Sequence, residues 1–201
     1  MGVTDSKVLS KNKREELAPI IKETARSYVI DEIHPTMMAD LTFNLNEWEM
    51  LTVLAIVSRL PEDVGNIYID NWEVSQARFF SRLSSLLSNP EVEEKGFKLD
   101  AARLRGLSYI PEHRADEKYV IVGAASILAK VASDAQYEVF RKEYGDFGSG
   151  SPADPRTRRY VWEHRHSPPS IIRTTWRTYQ HLCRLSRIED DSIYGRIKNK
   201  H

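Results

Sequence analysis

The chain has 201 residues, of which 41% are hydrophobic and 29% are charged, and its formal net charge at pH 7 is zero. This is enough chain for one domain with a buried core, and no segment is long and apolar enough to span a bilayer or to resemble a secretory signal, so we expect a soluble, cytoplasmic protein. The single cysteine, Cys183, excludes an intrachain disulfide.

The first half of the chain predicts helices separated by short extended segments. Ser10 is placed to cap a helix that continues to about Ser27, and residues 28–33 then have the pattern of a short strand. Asn46 followed by Glu49 is typical of a capping box and predicts the start of a second helix.

The middle of the chain continues this alternation. Residues 66–72 predict a strand, and Ser75 opens a helix that continues to Leu87. Residues 89–96 are acidic and rich in turn formers, which predicts a surface loop, and residues 107–111 predict a further strand. Strands that alternate with helices indicate an α/β fold.

The last third of the chain is predicted to be mostly helical. A long amphipathic helix pattern ends at Gly145, and Asp154 with Pro155 then reads as the N-cap and first residue of a new helix. A terminal helix is predicted after two consecutive prolines, and it carries Ile172, Trp176, Tyr179 and Leu182.

The charges are distributed unevenly along this chain. Residues 1–140 carry 16 Lys and Arg against 22 Asp and Glu, a net charge of −6, whereas residues 141–201 carry 13 against 7, a net charge of +6. Cations gather carboxylates and nucleic-acid phosphates attract Lys and Arg, so the asymmetry fits a metal site beside a phosphate-binding surface. A solvated helical surface would give the same counts, and charge alone favours that interpretation.

Residues 145–157, the glycine loop, have the composition of a segment that approaches an anion closely. Three glycines leave the backbone bare, two serines offer hydroxyl groups, and a helix starts at the end of the loop. Exposed amide groups at a helix start attract phosphate. Upstream, Ser126, Lys130 and Asp134 recur every four residues, which places a hydroxyl, an ammonium and a carboxylate on one helical face.

A second candidate carboxylate, Asp70, falls at the end of the strand predicted at residues 66–72. Ligands of open α/β sheets bind beyond the carboxyl ends of the strands, although an Asp after a strand is most often a turn former. If Asp134 faces Asp70, the two carboxylates can hold Mg²⁺ or Mn²⁺, because hard cations prefer oxygen ligands.

Eight segments of the chain resemble the ribonuclease HII family, in its archaeal and eukaryotic form, and they occur in the order in which the family has them. They are Asp5-Ser6-Lys7 with Leu9-Ser10; Tyr68-Ile69-Asp70; His113-Arg114-Ala115-Asp116 with Lys118-Tyr119; Gly123-Ala124-Ala125-Ser126-Ile127-Leu128-Ala129-Lys130-Val131; Asp134; Gly145-Asp146-Phe147-Gly148-Ser149-Gly150; Asp154-Pro155-Arg156-Thr157; and Trp176-Arg177-Thr178. Together these segments extend from about Thr4 to Tyr179 and are highly specific as an ordered set.

The resemblance implies a ribonuclease H-like fold, which is a mixed sheet flanked by helices, with residues 1–140 as the catalytic part and residues 141–201 as a basic helical portion of the same domain. It implies metal-dependent hydrolysis of RNA strands in RNA/DNA hybrids, or of ribonucleotides embedded in DNA duplexes, with Mg²⁺ or Mn²⁺ as cofactor. Asp70 and Asp134 match two of the four acidic metal ligands of the family. The residues that the resemblance assigns to nucleic-acid binding are Lys7, Lys130, Ser149, Ser151 and Arg156.

The sequence departs from the family pattern in two places. The Gly-x-Asp-Glu-Ala-Gly-Arg-Gly motif, which supplies the other two acids on the first strand, does not occur in the chain. The first hairpin of the sheet is therefore expected to be missing, and a partner or a second chain could cover the gap. Ser151 stands where the family typically has a tyrosine, and serine can hydrogen-bond to the ribose 2′-OH but cannot stack on the junction.

Three functions of different classes remain open at this point. The first is a metal-dependent endoribonuclease that acts on RNA in hybrids. The second is a catalytically inactive, truncated relative that binds hybrid nucleic acid or a partner, which the two missing acids favour. The third is an unrelated α/β metal-dependent phosphohydrolase that has acquired a similar carboxylate site independently.

Overall fold

The computed structural model describes residues 9–185 of the chain and shows an α/β protein. The elements in chain order are α1 (Lys11–Thr24), α2 (Leu45–Ser58), β1 (Asn66–Asp70), α3 (Gln76–Leu86), α4 (Glu91–Glu94), α5 (Ala101–Gly106), β2 (Ser108–Glu112), α6 (Ala115–Lys118), α7 (Val120–Tyr144) and α8 (Pro155–Glu163), with a 3₁₀ turn at Met37–Ala39. Among these helices, none combines the length and the apolar character that crossing a lipid bilayer requires.

The described residues form two compact units. The N-terminal unit comprises residues 9–33 and 42–136, and the C-terminal unit comprises residues 34–41 and 137–185. Helix α7 begins in the first unit and continues into the second. The expected division of the chain between residues 140 and 141 therefore falls within a helix.

Helix starts in the N-terminal unit follow side-chain capping. The Ser10 side chain accepts a hydrogen bond from Lys13 N and caps α1, as predicted. The capping box of α2 was placed two residues too late by the sequence: it consists of Asn44 and Glu47. Asn44 is the cap because its side chain accepts from the amide of Glu47, while the Glu47 side chain accepts from the amide of Asn44. Two amides that the helix leaves without a partner are thereby satisfied.

The strand predicted at residues 28–33 is wrong, because this segment has no regular secondary structure. Most of its side chains are exposed, and one is fixed by an ion pair between Asp31 and Arg59. A strand needs a neighbouring ladder of hydrogen bonds, and no other strand in residues 9–185 pairs with this segment.

The described sheet contains β1 and β2, which run parallel and pair from Asn66 with Ser108 to Asp70 with Glu112. Both strands were predicted, although β1 ends two residues earlier than expected, and β2 begins and ends one residue later than expected. Alternate residues of β1 are buried, so one face of the sheet packs on the core and the other carries Tyr68 and Asp70. The family resemblance implied a larger mixed sheet, and residues 9–185 contain this parallel pair of it.

The core of the N-terminal unit lies between α2, α3 and the sheet. Its largest fully buried side chains are Met50, Leu51, Leu54, Phe79, Leu104, Pro111 and Ile127. Beside this core, the buried Glu73 carboxylate bonds to Arg82, which links the segment after β1 to α3. The region predicted as an acidic loop contains the short helix α4.

The C-terminal unit is built around α8 and the glycine loop. Asp154 caps α8 and Pro155 is its first residue, as predicted. Phe147, Tyr160 and Val161 are buried and form its core with the ring of Tyr137, which lies 5.7 Å from that of Phe147. The terminal helix begins at residue 177, so Ile172 and Trp176 precede it rather than lie on it.

Candidate active site

Asp70 lies at the carboxyl end of β1, where its side chain is oriented by a segment 45 residues away. The backbone N–H of Ala115 donates a hydrogen bond of 3.1 Å to Asp70 Oδ1. Arg114 makes this possible, because it adopts a left-handed conformation (φ 58°, ψ 39°) and turns the chain from β2 into α6. A non-glycine residue in that region is uncommon and costs conformational energy. The Asp70 carboxylate is exposed to solvent and fixed at one oxygen.

Glu112 is a further carboxylate that the sequence interpretation did not single out. It pairs with Asp70 in the register of the parallel strands, which places the two side chains on the same face of the sheet. Lys118 Nζ lies 2.5 Å from Glu112 Oε2 and Tyr119 donates a hydrogen bond of 2.7 Å to Oε1. These bonds, led by that from Lys118, hold the pKa of the Glu112 carboxyl below its ordinary value.

Asp134 lies on α7 and is held by two cations. Lys130, one turn earlier, donates to Oδ1 at 2.7 Å, and Arg14 of α1 donates to Oδ2 at 3.0 Å. Burial raises the pKa of the Asp134 carboxyl, but the hydrogen bonds from Lys130 and Arg14 outweigh that effect and hold the pKa below its ordinary value. The structure therefore brings together Lys130 and Asp134, as the four-residue spacing predicted.

Arg14 was missed by the sequence interpretation, although a signal for it exists. It lies three residues before Leu17 and four before Ala18, on the stripe of α1 that packs inward, and it is itself buried. A charged residue on an apolar stripe is almost never fully buried unless it is paired. Its partner, Asp134, is 120 residues away in the chain, so no local pattern could identify it.

The glycine loop of the C-terminal unit is tightly bonded to itself. Gly148 and Gly150 have positive φ angles of 74° and 75°, a conformation that glycine adopts without a steric penalty. Gly148 N donates to Asp146 Oδ1 at 2.9 Å, and Gly150 N donates to Thr157 Oγ1 at 3.0 Å. The Thr157 hydroxyl in turn donates to Phe147 O at 2.8 Å.

The expectation that this loop offers free amides to a phosphate is wrong for two of them, because the Asp154 carboxylate occupies the amides of Ser149 and Arg156. Asp154 Oδ1 accepts from Arg156 N at 2.9 Å and Oδ2 accepts from Ser149 N at 2.8 Å. These two backbone bonds lower the pKa of the Asp154 carboxyl to about 2. A negative side chain at the helix start thus takes the position in which a bound anion would be favoured.

The remaining residues that the resemblance assigned to nucleic-acid binding lie in different parts of the chain. Ser149, Ser151 and Arg156 belong to the C-terminal unit and are exposed. Arg156 Nη1 lies 3.7 Å from Asp146 Oδ2 and its Nη2 lies 3.4 Å from Asp154 Oδ2. Lys7 lies outside the described residues.

The donor chemistry of Asp70 and Asp134 fits a hard divalent cation. Each carboxylate oxygen has two lone pairs, so an oxygen that accepts one hydrogen bond keeps acceptor capacity. Mg²⁺ is usually bound by one or two carboxylates together with waters and substrate phosphates. Residues 9–185 contain no group of three or more His, Cys, Asp or Glu side chains that could hold a metal ion. Each of the two carboxylates therefore has the donor chemistry for a cation whose other ligands are water and phosphate.

Comparison with known proteins identifies relatives along nearly the whole chain. A family model described as Ribonuclease HII matches residues 1–179. The chain is 37% identical over 185 residues to a ribonuclease HII of Thermococcus onnurineus (strain NA1), covering 90% of this chain and 74% of the relative. It is 36% identical over 205 residues to a ribonuclease HII of Pyrococcus abyssi (strain GE5 / Orsay), covering 99% of this chain and 84% of that protein.

Solved structures agree with the sequence matches. The ribonuclease H2 of Pyrococcus horikoshii OT3 superposes with a TM-score of 0.74 at 32% identity, covering 92% of this chain and 82% of that chain. The RNase HII in the PCNA:RNase HII complex from Archaeoglobus fulgidus superposes with a TM-score of 0.67 at 36% identity, covering 88% of this chain and 79% of that chain. The α/β fold expected from the sequence is thereby confirmed.

Proposed function

The chain belongs to the ribonuclease HII family, whose members are ribonuclease H-type endonucleases. From this premise we propose that it hydrolyses the RNA strand of RNA/DNA hybrids or ribonucleotides embedded in DNA duplexes, with Mg²⁺ or Mn²⁺ as cofactor. Family membership removes the independently evolved phosphohydrolase from consideration. The observation that carries the proposal is that Asp70 and Asp134 are each fixed by a hydrogen bond from a distant segment of the N-terminal unit.

The two carboxylates would hold the divalent cation. Ala115 N keeps Asp70 in one orientation and Arg14 does the same for Asp134, so neither side chain has to be ordered when the substrate binds. Asp134 is ionised at neutral pH, and its lowered pKa extends the ionised range to more acidic solutions. The chemistry that such a cation supplies when bound is a lowered pKa for its water and stabilisation of charge at the phosphate.

Contacts to the nucleic-acid backbone are assigned to side chains rather than to loop amides. Lys7, Lys130 and Arg156 would contribute positive charge, and Ser149 and Ser151 would contribute hydroxyl groups. This assignment is supported by the exposure of Arg156, Ser149 and Ser151 and by the hydrogen bonds that occupy the amides of Ser149 and Arg156. We assign residues 1–140 to the catalytic part and residues 141–201 to a basic helical portion of the same domain.

A partner polypeptide or a second chain is proposed to cover the gap that the missing first hairpin leaves in the sheet. The described sheet consists of β1 and β2, so each strand has an edge without a ladder partner among residues 9–185, and unpaired strand edges are able to pair with another chain. Light scattering on the purified chain over a range of concentrations separates the two: self-association supports a second copy, and a monomer at all concentrations contradicts a second copy and leaves a different polypeptide as the partner.

Cleavage of labelled duplexes tests the proposed activity. The purified chain and Asp70→Asn are incubated with a full RNA/DNA hybrid, a DNA duplex with one embedded ribonucleotide and an all-DNA duplex, each in Mg²⁺ and in Mn²⁺. We expect the RNA-containing substrates to be cut, the full hybrid at least as fast as the single ribonucleotide because Ser151 cannot stack, and we expect Asp70→Asn to abolish cutting.

Asp63→Asn is the matched control, because Asp63 is an exposed carboxylate of the same unit that pairs with Arg26 at 2.6 Å. It should cut like the unmodified chain. Binding of the hybrid without cleavage by the folded chain would contradict the proposal and support the inactive relative. Unchanged cleavage by Asp70→Asn would show that the nuclease uses other carboxylates.

A further inference from the structure

The phenol of Tyr137 lies against the glycine loop of the C-terminal unit. A Cβ added at Gly150 would lie 2.8 Å from Tyr137 Oη and 3.2 Å from its Cε1, so the phenol occupies the space that a side chain at residue 150 would need. Gly150 also has a φ of 75°, a conformation that residues with a side chain rarely adopt. Glycine at this position therefore lets the Tyr137 hydroxyl reach the loop directly before Ser151.

Two neighbours in the same unit fix the direction of the Tyr137 ring. The buried ring of Phe147 lies 5.7 Å from it at an angle of 52°. One turn later on α7, the guanidinium carbon of Arg141 lies 5.9 Å from the ring centroid. Arg141 in turn donates to Glu138 Oε1 at 2.9 Å and to Gly148 O at 3.4 Å. Because a tyrosine side chain is rigid, these contacts hold the hydroxyl in one place before a ligand binds.

The Tyr137 hydroxyl has no hydrogen-bond partner among residues 9–185, and the side chain is half-buried. Groups of the loop beside it are already bonded. Gly150 N donates to Thr157 Oγ1 at 3.0 Å, and the Ser151 hydroxyl accepts from Ala153 N at 3.2 Å. A phenol hydroxyl can both donate and accept a hydrogen bond. Tyr137 therefore presents an oriented donor and acceptor at a loop that uses its own amides internally.

We propose that the Tyr137 hydroxyl hydrogen-bonds to the ribose 2′-OH of a ribonucleotide that lies on the glycine loop. The inference rests on the proposed function and names a residue that selects its substrate. The 2′-OH is both donor and acceptor, and it is the group by which a protein distinguishes RNA from DNA at a given site. Tyr137 thus supplies a phenol hydroxyl at a loop in which residue 151 is a serine, while Ser151 contacts RNA and DNA backbones alike.

Fluorescence anisotropy with two duplexes of one sequence tests this proposal. One is a DNA duplex with a single embedded ribonucleotide, and the other is all DNA. Every protein carries Asp70→Asn, so that neither duplex is cut during the measurement in Mg²⁺. Tyr137→Phe removes the hydroxyl and keeps the ring. We expect it to reduce the preference for the ribonucleotide-containing duplex about three- to tenfold, which corresponds to one hydrogen bond, and to bind the all-DNA duplex as before.

Tyr144→Phe is the matched control. Tyr144 is another half-buried tyrosine of α7, and its hydroxyl lies 3.0 Å from Ser170 Oγ, within hydrogen-bond distance. Its removal should leave the preference unchanged, and Ser151→Ala should weaken binding to both duplexes alike. An unchanged preference in Tyr137→Phe overturns the proposal. A loss of preference confined to Ser151→Ala, or equal in Tyr144→Phe and Tyr137→Phe, also overturns it.

The binding result and the cleavage result can be separated. A preference that depends on the Tyr137 hydroxyl, in a chain whose unmodified form does not cut, supports the ribose contact and contradicts the nuclease activity. Cutting of RNA-containing duplexes, together with a preference that Tyr137→Phe leaves intact, supports the nuclease activity and overturns the ribose contact. Equal binding of the two duplexes by the chain with Tyr137 in place overturns the ribose contact as well.

Discussion

The candidate carboxylates of the N-terminal unit and the glycine loop of the C-terminal unit fix their acidic groups in contrasting ways. Asp70 and Asp134 are oriented by groups 45 and 120 residues away in the chain. In the glycine loop, Asp154 bonds to Ser149 and Arg156, which are five and two residues away. The first region therefore depends on the tertiary fold, whereas the second is determined by its own short segment.

This difference has a functional meaning. Asp154 is satisfied by backbone amides and serves the loop itself, because its oxygens fill the positions that an anionic ligand would take. Asp134 is instead satisfied by two side-chain cations, the buried Arg14 and the exposed Lys130. We therefore expect similar carboxylates to have a structural task in one unit and a chemical task in the other.

Gly148→Ala is expected to have the largest effect on stability. A Cβ at this position would lie 2.8 Å from Asp154 Oδ2 and 2.9 Å from Thr157 N, and the residue has a φ of 74°. Clash and backbone strain together should lower the free energy of unfolding by about 2–4 kcal/mol, measured by urea denaturation. Gly145→Ala is the control, because Gly145 has a φ of 81° but nothing within 4 Å. Equal losses in the two variants would show that the tight packing of the loop contributes nothing.

Arg14→Met breaks the long-range connection of the other region. Removing the guanidinium leaves the partly buried Asp134 Oδ2 without its donor, so we expect a loss of about 1–3 kcal/mol in the free energy of unfolding. The double variant Arg14→Met/Asp134→Asn should lose less than the sum of the single variants, and strict additivity would contradict the connection. Arg59→Met, which removes an exposed partner of Asp31, should cost less than Arg14→Met.

The smallest effect is a pH dependence that belongs to the glycine loop. The pKa of Asp154 is about 2 in the folded chain, below the ordinary value of 3.8. Its stabilising contribution is therefore complete above the ordinary value and is lost as the pH falls through the folded value. The difference in thermal midpoint between the unmodified chain and Asp154→Asn should shrink between about pH 5 and about pH 2. A difference that stays constant over this range would contradict the role of the charged carboxylate.

Helix starts and the two strands could be predicted from the sequence because their signals are local. Ser10, Ser75 and Asp154 cap their helices through amides two or three residues ahead, and short runs of apolar and aromatic residues marked β1 and β2. The wrong strand at residues 28–33 shows the limit of such patterns, since a strand also needs a partner that the pattern does not contain.

The contacts at the candidate carboxylates could not be predicted in the same way. The family resemblance pointed to Asp70 and Asp134, but nothing near either residue in the sequence indicated Ala115 N or Arg14 as its donor. The prediction of free loop amides failed for a related reason. Composition showed which groups the loop contains, but not that Asp154 folds back onto Ser149 N and satisfies it.

The most direct test of the contrast compares hybrid affinity with the single-turnover cleavage rate at saturating hybrid for Asp70→Asn and Arg156→Gln. The account predicts that Asp70→Asn binds the hybrid but cuts it at least about 100-fold more slowly, because a ligand of the catalytic cation is lost. Arg156→Gln should bind the hybrid more weakly and, once saturated, cut it at close to the unmodified rate. Loss of rate by Arg156→Gln at saturation, or loss of affinity alone by Asp70→Asn, would contradict the account.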